Sequence, residues 1–443
     1  MSHDLVVRGD AWDVAVADGL IAEVGPGLAG GREEIDARGL LVLPGAVDAH
    51  VHLNDPGRAD WEGFTTGTRA LAAGGVTCAC DMPLNSLPPT LDAASFDAKV
   101  AAARGRARVD FALWGGLVPG DPARLDALAE RGVVGFKAFM CPSGVDEFPA
   151  ADPDTLGRGM ERAAALGLPV AVHAEDPEIV GRLAEEARAA GRTSMAGWAA
   201  SRPPEAELAA IRLALSLAEQ AGCALHVVHV STAEGAGLVA EARARGVDAT
   251  CEACPHHLVL DEGDAARIGA LAKCAPPLRS SAERRALWGR VASGAVDLVA
   301  SDHSPGPPEL KTGDDMFAAW GGISGAQTTL ALMLSEGPAH GVGPARVAEL
   351  VGAAPAARLG LAGKGRLEPG ADADIAIVRT GEGWTLEPAD LEYRHHHSPF
   401  TGRRLSARVV RTILRGRTVW GEGADPGAPP AGRLVTPVTA VAR

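Results

Sequence analysis

Two histidines one residue apart, His50 and His52, close the apolar run GAVDAHVHLND at residues 45–55. In an extended strand, side chains two residues apart project to the same face, so this pair can hold one cation between two imidazoles. Further residues of ligand type end similar apolar runs: Lys137 in GFKAF, His173 in AVHAED, His229 in VVHVS and Asp302 in ASDHSP. An HxH pair alone is a weak metal signal. Six ligand-type side chains at the ends of five apolar runs are a pattern that chance does not readily produce.

Lys137 is the odd member of this set. An ammonium with a pKa of ~10.4 in water should be expelled from among metal ligands by charge repulsion, yet the flanking sequence VVGFKAFM is apolar on both sides. Reaction with CO2 would turn the lysine into an anionic carbamate with two oxygens, able to bridge two cations. Charge counting favours that outcome. Two divalent ions against four neutral imidazoles and one aspartate leave excess positive charge, which a carbamate and a bridging hydroxide bring near neutrality. The expectation is a binuclear centre held by His50, His52, carboxylated Lys137, His173, His229 and Asp302, with the ions roughly 3.5–4 Å apart. Zinc is the first candidate; cobalt, manganese, iron and nickel share the same donor preferences.

Such a site needs strands that end together. Between residues 45 and 335, short apolar runs alternate with Ala/Leu/Glu/Arg-rich helical stretches. The runs are GAVDAHVHL, VTCACDM, VDFALWG, VVGFKAF, PVAVHA, LHVVHV, VDATCEA and VDLVASDH, the number a closed (β/α)8 barrel requires. Residues 5–42 and the late stretches GRLEPGADADIAIVRT and ARVVRTILRGRTVW instead show strand alternation. The sequence therefore predicts an α/β fold: a TIM barrel over 45–360, with a small β-sandwich built from both chain ends, 1–44 and 361–443. In a TIM barrel the chemistry sits at the C-terminal ends of the strands, where the six candidates fall.

The 443 residues are 47% hydrophobic and 22% charged, with a net charge of −14. Arginines are spread without a basic run, which argues against a nucleic-acid partner. No apolar run approaches the ~20 residues of a membrane span, and the N-terminus lacks a basic-then-apolar leader. Seven cysteines, an odd number in apolar segments, fit a reduced cytoplasm better than a disulfide framework. The CxxC of Cys251 and Cys254 has no second pair nearby and reads as two thiols at a strand end.

The HxH pair, barrel lysine, two further histidines and late aspartate resemble the amidohydrolase superfamily, in its cyclic-amidase branch of dihydroorotases, hydantoinases (dihydropyrimidinases) and allantoinases. Several long stretches are most similar to the allantoinases: HVHLNDPGRADWEGFTTGTRALAAGGVT (50–77), DMPLNSLPPT (81–90), GFKAFMCPSGVDEFP (135–149), KCAPPLR (273–279), SDHSPGPPELK (301–311) and WGGISGAQ (320–327). Dihydroorotases that resemble this chain carry an arginine two residues after the HxH pair, a fork for a carboxylate; here that residue is Asn54. Hydantoinases often place a tyrosine shortly after the barrel lysine, whereas the single tyrosine here is Tyr393. Gly306 stands where the allantoinase pattern often has cysteine.

The resemblance implies hydrolytic opening of a small, neutral cyclic amide, with allantoin giving allantoate as first choice and a hydantoinase-type ring preference as the alternative. A metal-bridging hydroxide would attack the ring carbonyl, while Asp302 takes its proton and returns it to the leaving nitrogen. Asn54, Ser143, Ser304 and the main chain of Gly322, Ile323 and Ser324 are expected to orient the substrate. Glu175 and Asp176 either orient ligands or cap the next helix, and His256 and His257 read as structural. Non-catalytic relatives of this scaffold have lost metal ligands; here every ligand position is filled. A homo-oligomer, by resemblance a homotetramer, is implied as well.

Overall fold

The computed structural model describes residues 3–421 and 429–438. The expected sandwich segment 361–443 therefore includes residues 422–428 and 439–443, which lie outside the described residues. The first sheet is formed by β1 (His3–Arg8), β2 (Asp13–Ala17), β3 (Leu20–Gly25) and β4 (Gly31–Asp36), in the order β3-β2-β1-β4. β5 (Leu41–Pro44) leaves this sheet and joins the late strands.

The barrel follows at once. Its strands are β6 (Ala46–Val51), β7 (Val76–Asp81), β8 (Asp110–Leu113) continued by β9 (Gly115–Gly116), β10 (Phe136–Phe139), β11 (Val170–His173), β12 (Leu225–Val227), β13 (Ala249–Ala253) and β14 (Leu298–Val299). Successive strands pair in parallel, and β8 and β9 are two pieces of one strand flanking Trp114. Every residue of β6 and β7 is buried, as expected where helices cover the outer face of a parallel sheet. The ring closes between β14 and β6 just beyond the strands themselves. There the Ser301 amide donates to Asp48 Oδ1 at 3.0 Å and the His52 amide to the His303 carbonyl at 2.7 Å. The expected eight-stranded barrel is met.

After the barrel, β15 (Ile375–Thr385), β16 (Arg404–Leu414) and β17 (Arg417–Gly421) form the second sheet in the order β17-β16-β15-β5. β5 pairs antiparallel with β15, Leu43 opposite Ala376. Leu5, Val7, Val16 and Ile21 of the first sheet share one apolar cluster with Ile375, Ile377 and Ile413 of the second. The two chain ends thus make one sandwich, again as expected. Residues 429–438 then run back to the barrel, where the Phe111 amide donates to the Arg433 carbonyl at 3.0 Å and the Val435 amide to the Phe111 carbonyl at 2.8 Å. Among the described residues no helix is long and apolar enough to cross a membrane.

One buried cation staples barrel to sandwich. Lys364 Nζ lies 2.6 Å from Asp110 Oδ2 on β8, and 2.8 Å from both Asp374 and Asp372 just ahead of β15. Burial works against its charge, yet Asp374 and Asp110 hold the ammonium above its ordinary value. Removing one member of such a cluster strands the other charges in low dielectric. Lys364→Met should therefore lower unfolding stability by about 3–5 kcal/mol, read as a shifted urea midpoint, and a shift no larger than that of a surface lysine would refute the staple.

Candidate metal centre

The ends of the barrel strands meet in a cavity of about 470 Å³ that is lined by His50, His52, His173, His229 and Asp302. His50 and His52 come from the end of β6, His173 from the end of β11, and His229 and Asp302 from just beyond β12 and β14. His229 and Asp302 adopt left-handed backbone, with φ of 40° and 45°. Such conformations cost of order 1–3 kcal/mol for side chains with a Cβ and persist only where surrounding structure enforces them.

The hydrogen bonds around these side chains fix which ring nitrogen faces inward. His50 Nδ1 lies 2.5 Å from Glu252 Oε1 and can only donate there, so a neutral ring has no proton on Nε2. Yet Nε2 faces Asp302 Oδ1 at 3.1 Å. His173 Nε2 donates to Glu175 Oε2 at 2.7 Å, leaving its Nδ1 to accept from the Nε2–H tautomer of His229 at 3.1 Å, while His229 Nδ1 has no partner among the described residues. His52 Nδ1 donates to the Leu84 carbonyl at 3.3 Å, and its Nε2 lies 3.6 Å from Asp302 Oδ1. Burial draws His52 and His173 below the usual imidazole value and His229 well below it. Four imidazoles gathered around a carboxylate, two of them held from outside by Glu252 and Glu175, are the donor set of a divalent metal site. Burial pushes the Asp302 carboxyl up, but His50, His52 and His229 together hold it well below the carboxylate range, ionised and able to ligate.

Lys137 lies in the middle of β10, fully buried, and does not line the cavity. Its Nζ has no hydrogen-bond partner among the described residues and sits 4.9 Å from the Phe139 ring centroid. Burial lowers this ammonium to about 8, against the raising pull of Glu252 and Asp302. An orphaned amine in that position suits an added acidic group, as a carbamate would provide.

The residues expected to orient substrate are divided by the structure. Ser143, Ser304 and Gly322 line the cavity; Asn54, Ile323 and Ser324 do not. Asn54 is buried with its amide nitrogen 3.2 Å from the Pro305 carbonyl, and Ile323 receives the Ser304 amide at 2.9 Å. The Ser324 carbonyl accepts from Ser398 Oγ at 2.7 Å. Gly322 has φ 130°, and a Cβ there would fall 2.3 Å from the Ser304 carbonyl oxygen, so only glycine fits. Asn85, at φ 72°, lines the cavity in the place expected of Asn54 and donates to Ser304 Oγ at 3.3 Å.

Other residues separate cleanly into roles. Glu175 holds His173 and is itself gripped by Arg202, while Asp176 caps the helix Pro177–Ala189. Burial pushes the Glu175 carboxyl up, but Arg202 and His173 bring it down to about 2. Glu252 is opposed by burial in the same way and is held at about 2 by His50 and His226. Its local signal was a single carboxylate inside the strand CEAC, next to the two thiols that drew attention instead. His257 donates to the Pro276 carbonyl at 3.1 Å, and neither it nor His256 lines the cavity. The Tyr393 hydroxyl accepts from the Gln327 amide at 2.9 Å, likewise away from the cavity.

Residues 41–419 match the amidohydrolase family. The chain is 58% identical over 446 residues to an allantoinase of Rubrobacter xylanophilus, covering 98% of each chain. It is 52% identical to an allantoinase of Solibacter usitatus, covering 92% of this chain and 90% of that one. Among solved structures it resembles the L-hydantoinase (dihydropyrimidinase) from Arthrobacter aurescens, with a TM-score of 0.94 and 34% identity over 98% of this chain and 100% of that chain.

Carboxylates that hold the outer nitrogen of a ligating histidine typically contribute 10–100-fold to metal affinity. Glu252→Gln should therefore weaken metal retention by roughly that factor, measured by competition with a chromogenic chelator. Unchanged affinity would separate Glu252 from the centre.

Proposed function

The chain belongs to the amidohydrolase family, and from that premise we propose that it acts as an allantoinase, opening the ring of allantoin with water to give allantoate. The observation that carries this reading is full-length identity of 58% to an allantoinase in a chain whose barrel mouth gathers four imidazoles and one carboxylate on a single cavity. Bound by His50, His52, His173, His229, Asp302 and a carbamate on Lys137, two divalent ions, zinc first, would polarise the ring carbonyl and acidify the attacking water toward pKa ~7.

The chain's own groups do the rest. Glu252 and Glu175 hold His50 and His173 with their bare nitrogens inward. Asp302 takes one proton from the attacking water as the new C–O bond forms. It returns that proton to the ring nitrogen as the C–N bond breaks, so the nitrogen leaves as a neutral amide, and the second proton of the water passes to solvent as the new acid ionises to a carboxylate. Lys137, lowered to about 8 by burial, presents a share of uncharged amine near neutral pH. That amine can add CO2, forming an N–C bond and releasing one proton. Ser143, Ser304 and Gly322 are the substrate contacts in this reading, with Asn54, Ile323 and Ser324 supporting the wall behind them.

The same reading takes the barrel as 45–360 and the sandwich as 1–44 with 361–443, in a homo-oligomer, a homotetramer. It sets the protein in the cytoplasm, consistent with seven free, buried cysteines. A hydantoinase-type preference is the second reading, favoured by the 34% identity and TM-score of 0.94 to the L-hydantoinase.

Hydrolysis of allantoin, hydantoin and dihydrouracil by the purified protein separates the two readings. Activity highest on allantoin, lost on chelation and regained with zinc, is expected. Asp302→Asn should lower kcat by about 10²–10⁴. Lys137→Ala should be inactive and partly restored by short carboxylic acids; near-normal activity without them would remove the carbamate.

A further inference from the structure

Besides the imidazoles, the cavity is lined by Trp198, Phe317, Lys273 and two arginines, Arg188 and Arg202. At about 470 Å³ it extends well beyond what a bare five-membered ring occupies. With the ring carbonyl against Asp302, a substituent of the ring has room to reach this wall. Allantoin carries a ureido arm, whose carbonyl oxygen seeks a donor and whose charge is zero.

Of the three cations on the wall, two are committed. Arg202 grips Glu175, and exposed Arg188 lies over the Phe317 ring at 4.8 Å. Lys273 is different. It is buried, donates to the Ala319 carbonyl at 2.5 Å and rests 4.1 Å from the Trp198 ring centroid. An ammonium has three donors, so this contact leaves donor capacity for the cavity. Its position is rigid: Trp198 Nε1 is tied to the Cys274 carbonyl at 3.1 Å, and the indole packs edge-on to Phe317 at 5.4 Å. The Gly322 amide donates back to the Lys273 carbonyl at 2.8 Å, joining the lysine to a cavity-lining loop. Burial draws this ammonium down to about 8, which is what a cation short of acceptors shows.

We propose that Lys273 donates to the carbonyl oxygen of the exocyclic ureido arm, making the wall around Lys273 and Trp198 a urea subsite of the cavity. This rests on the allantoin reading above. It makes Lys273 a specificity-determining residue, since an unsubstituted ring does not reach it.

Kinetics of the metal-loaded wild type, Lys273→Met and Lys273→Arg on allantoin and hydantoin test the subsite, with thermal midpoints confirming folded variants. For Lys273→Met, kcat/KM on allantoin should fall about 10–100-fold, chiefly through KM, as expected for loss of a charged donor. Hydantoin should change no more than a few-fold, read as turnover or, where it is not turned over, as its inhibition constant against allantoin. Lys273→Arg should recover part of the loss. An equal fall on both substrates would mean that Lys273 only supports the loop at 319–322, and an unchanged value for allantoin would mean that the arm lies elsewhere; either overturns the proposal. A wild type inert toward allantoin but active on hydantoin would instead overturn the underlying reading and this subsite with it.

Discussion

Everything at the barrel mouth depends on crowding four imidazoles and a carboxylate onto one cavity. His50 Nε2 stands 3.1 Å from Asp302 Oδ1, and His173 Nδ1 stands 3.1 Å from His229 Nε2. In water such groups would turn away. Here Glu252, Glu175 and the Leu84 carbonyl tie up the outer nitrogens, and burial disfavours protonating His52, His173 and His229. A divalent cation would bind the ring nitrogens that are held inward.

That arrangement is inseparable from closing the barrel. Asp48 Oδ1 receives both the Ser301 amide at 3.0 Å and the His50 amide at 3.3 Å, so one carboxylate joins the first strand to the last. His52 donates its own amide across the same seam to His303. The residues flanking the ligands are thus the stitches of the ring. Asp81 plays a similar part nearby, taking the Leu53 amide at 2.7 Å and the buried Lys99 ammonium at 2.6 Å. The left-handed turns at His229 and Asp302 stay in place because the rigid ring around them leaves no relaxed alternative.

The residues that gather at the barrel mouth were legible because strand periodicity and strand-end placement are local properties. Reading HxH at 50–52 needs only the pleat, and reading the eight runs needs only alternation. Glu252 was harder, because its meaning lies in His50, some two hundred residues away, and the flanking cysteines offered a more familiar pattern. Arg202 and Lys273 sit in loop sequence, where a basic residue normally faces solvent; only the fold turns them inward. Asn54 was expected on substrate from its spacing to the histidines. Its positive φ of 64° buries the side chain behind the lining and gives the place to Asn85, thirty-one positions on. Backbone conformation of that kind leaves little trace in composition.

Two of the fully buried lysines show how far environment, rather than residue type, decides role. Lys364 and Lys137 are equally shut off from water. Lys364 is met by three aspartates within 2.8 Å, its charge is reinforced, and it serves as a structural staple. Lys137 has no hydrogen-bond partner among the described residues, and burial draws it down to about 8. A chain selected only for stability would replace such a lysine with leucine or methionine, since an unpaired buried amine is destabilising. Its burial without an acid partner is the feature that the proposed carbamate would account for. The sequence VVGFKAFM carries that message because it offers the lysine no acid of its own.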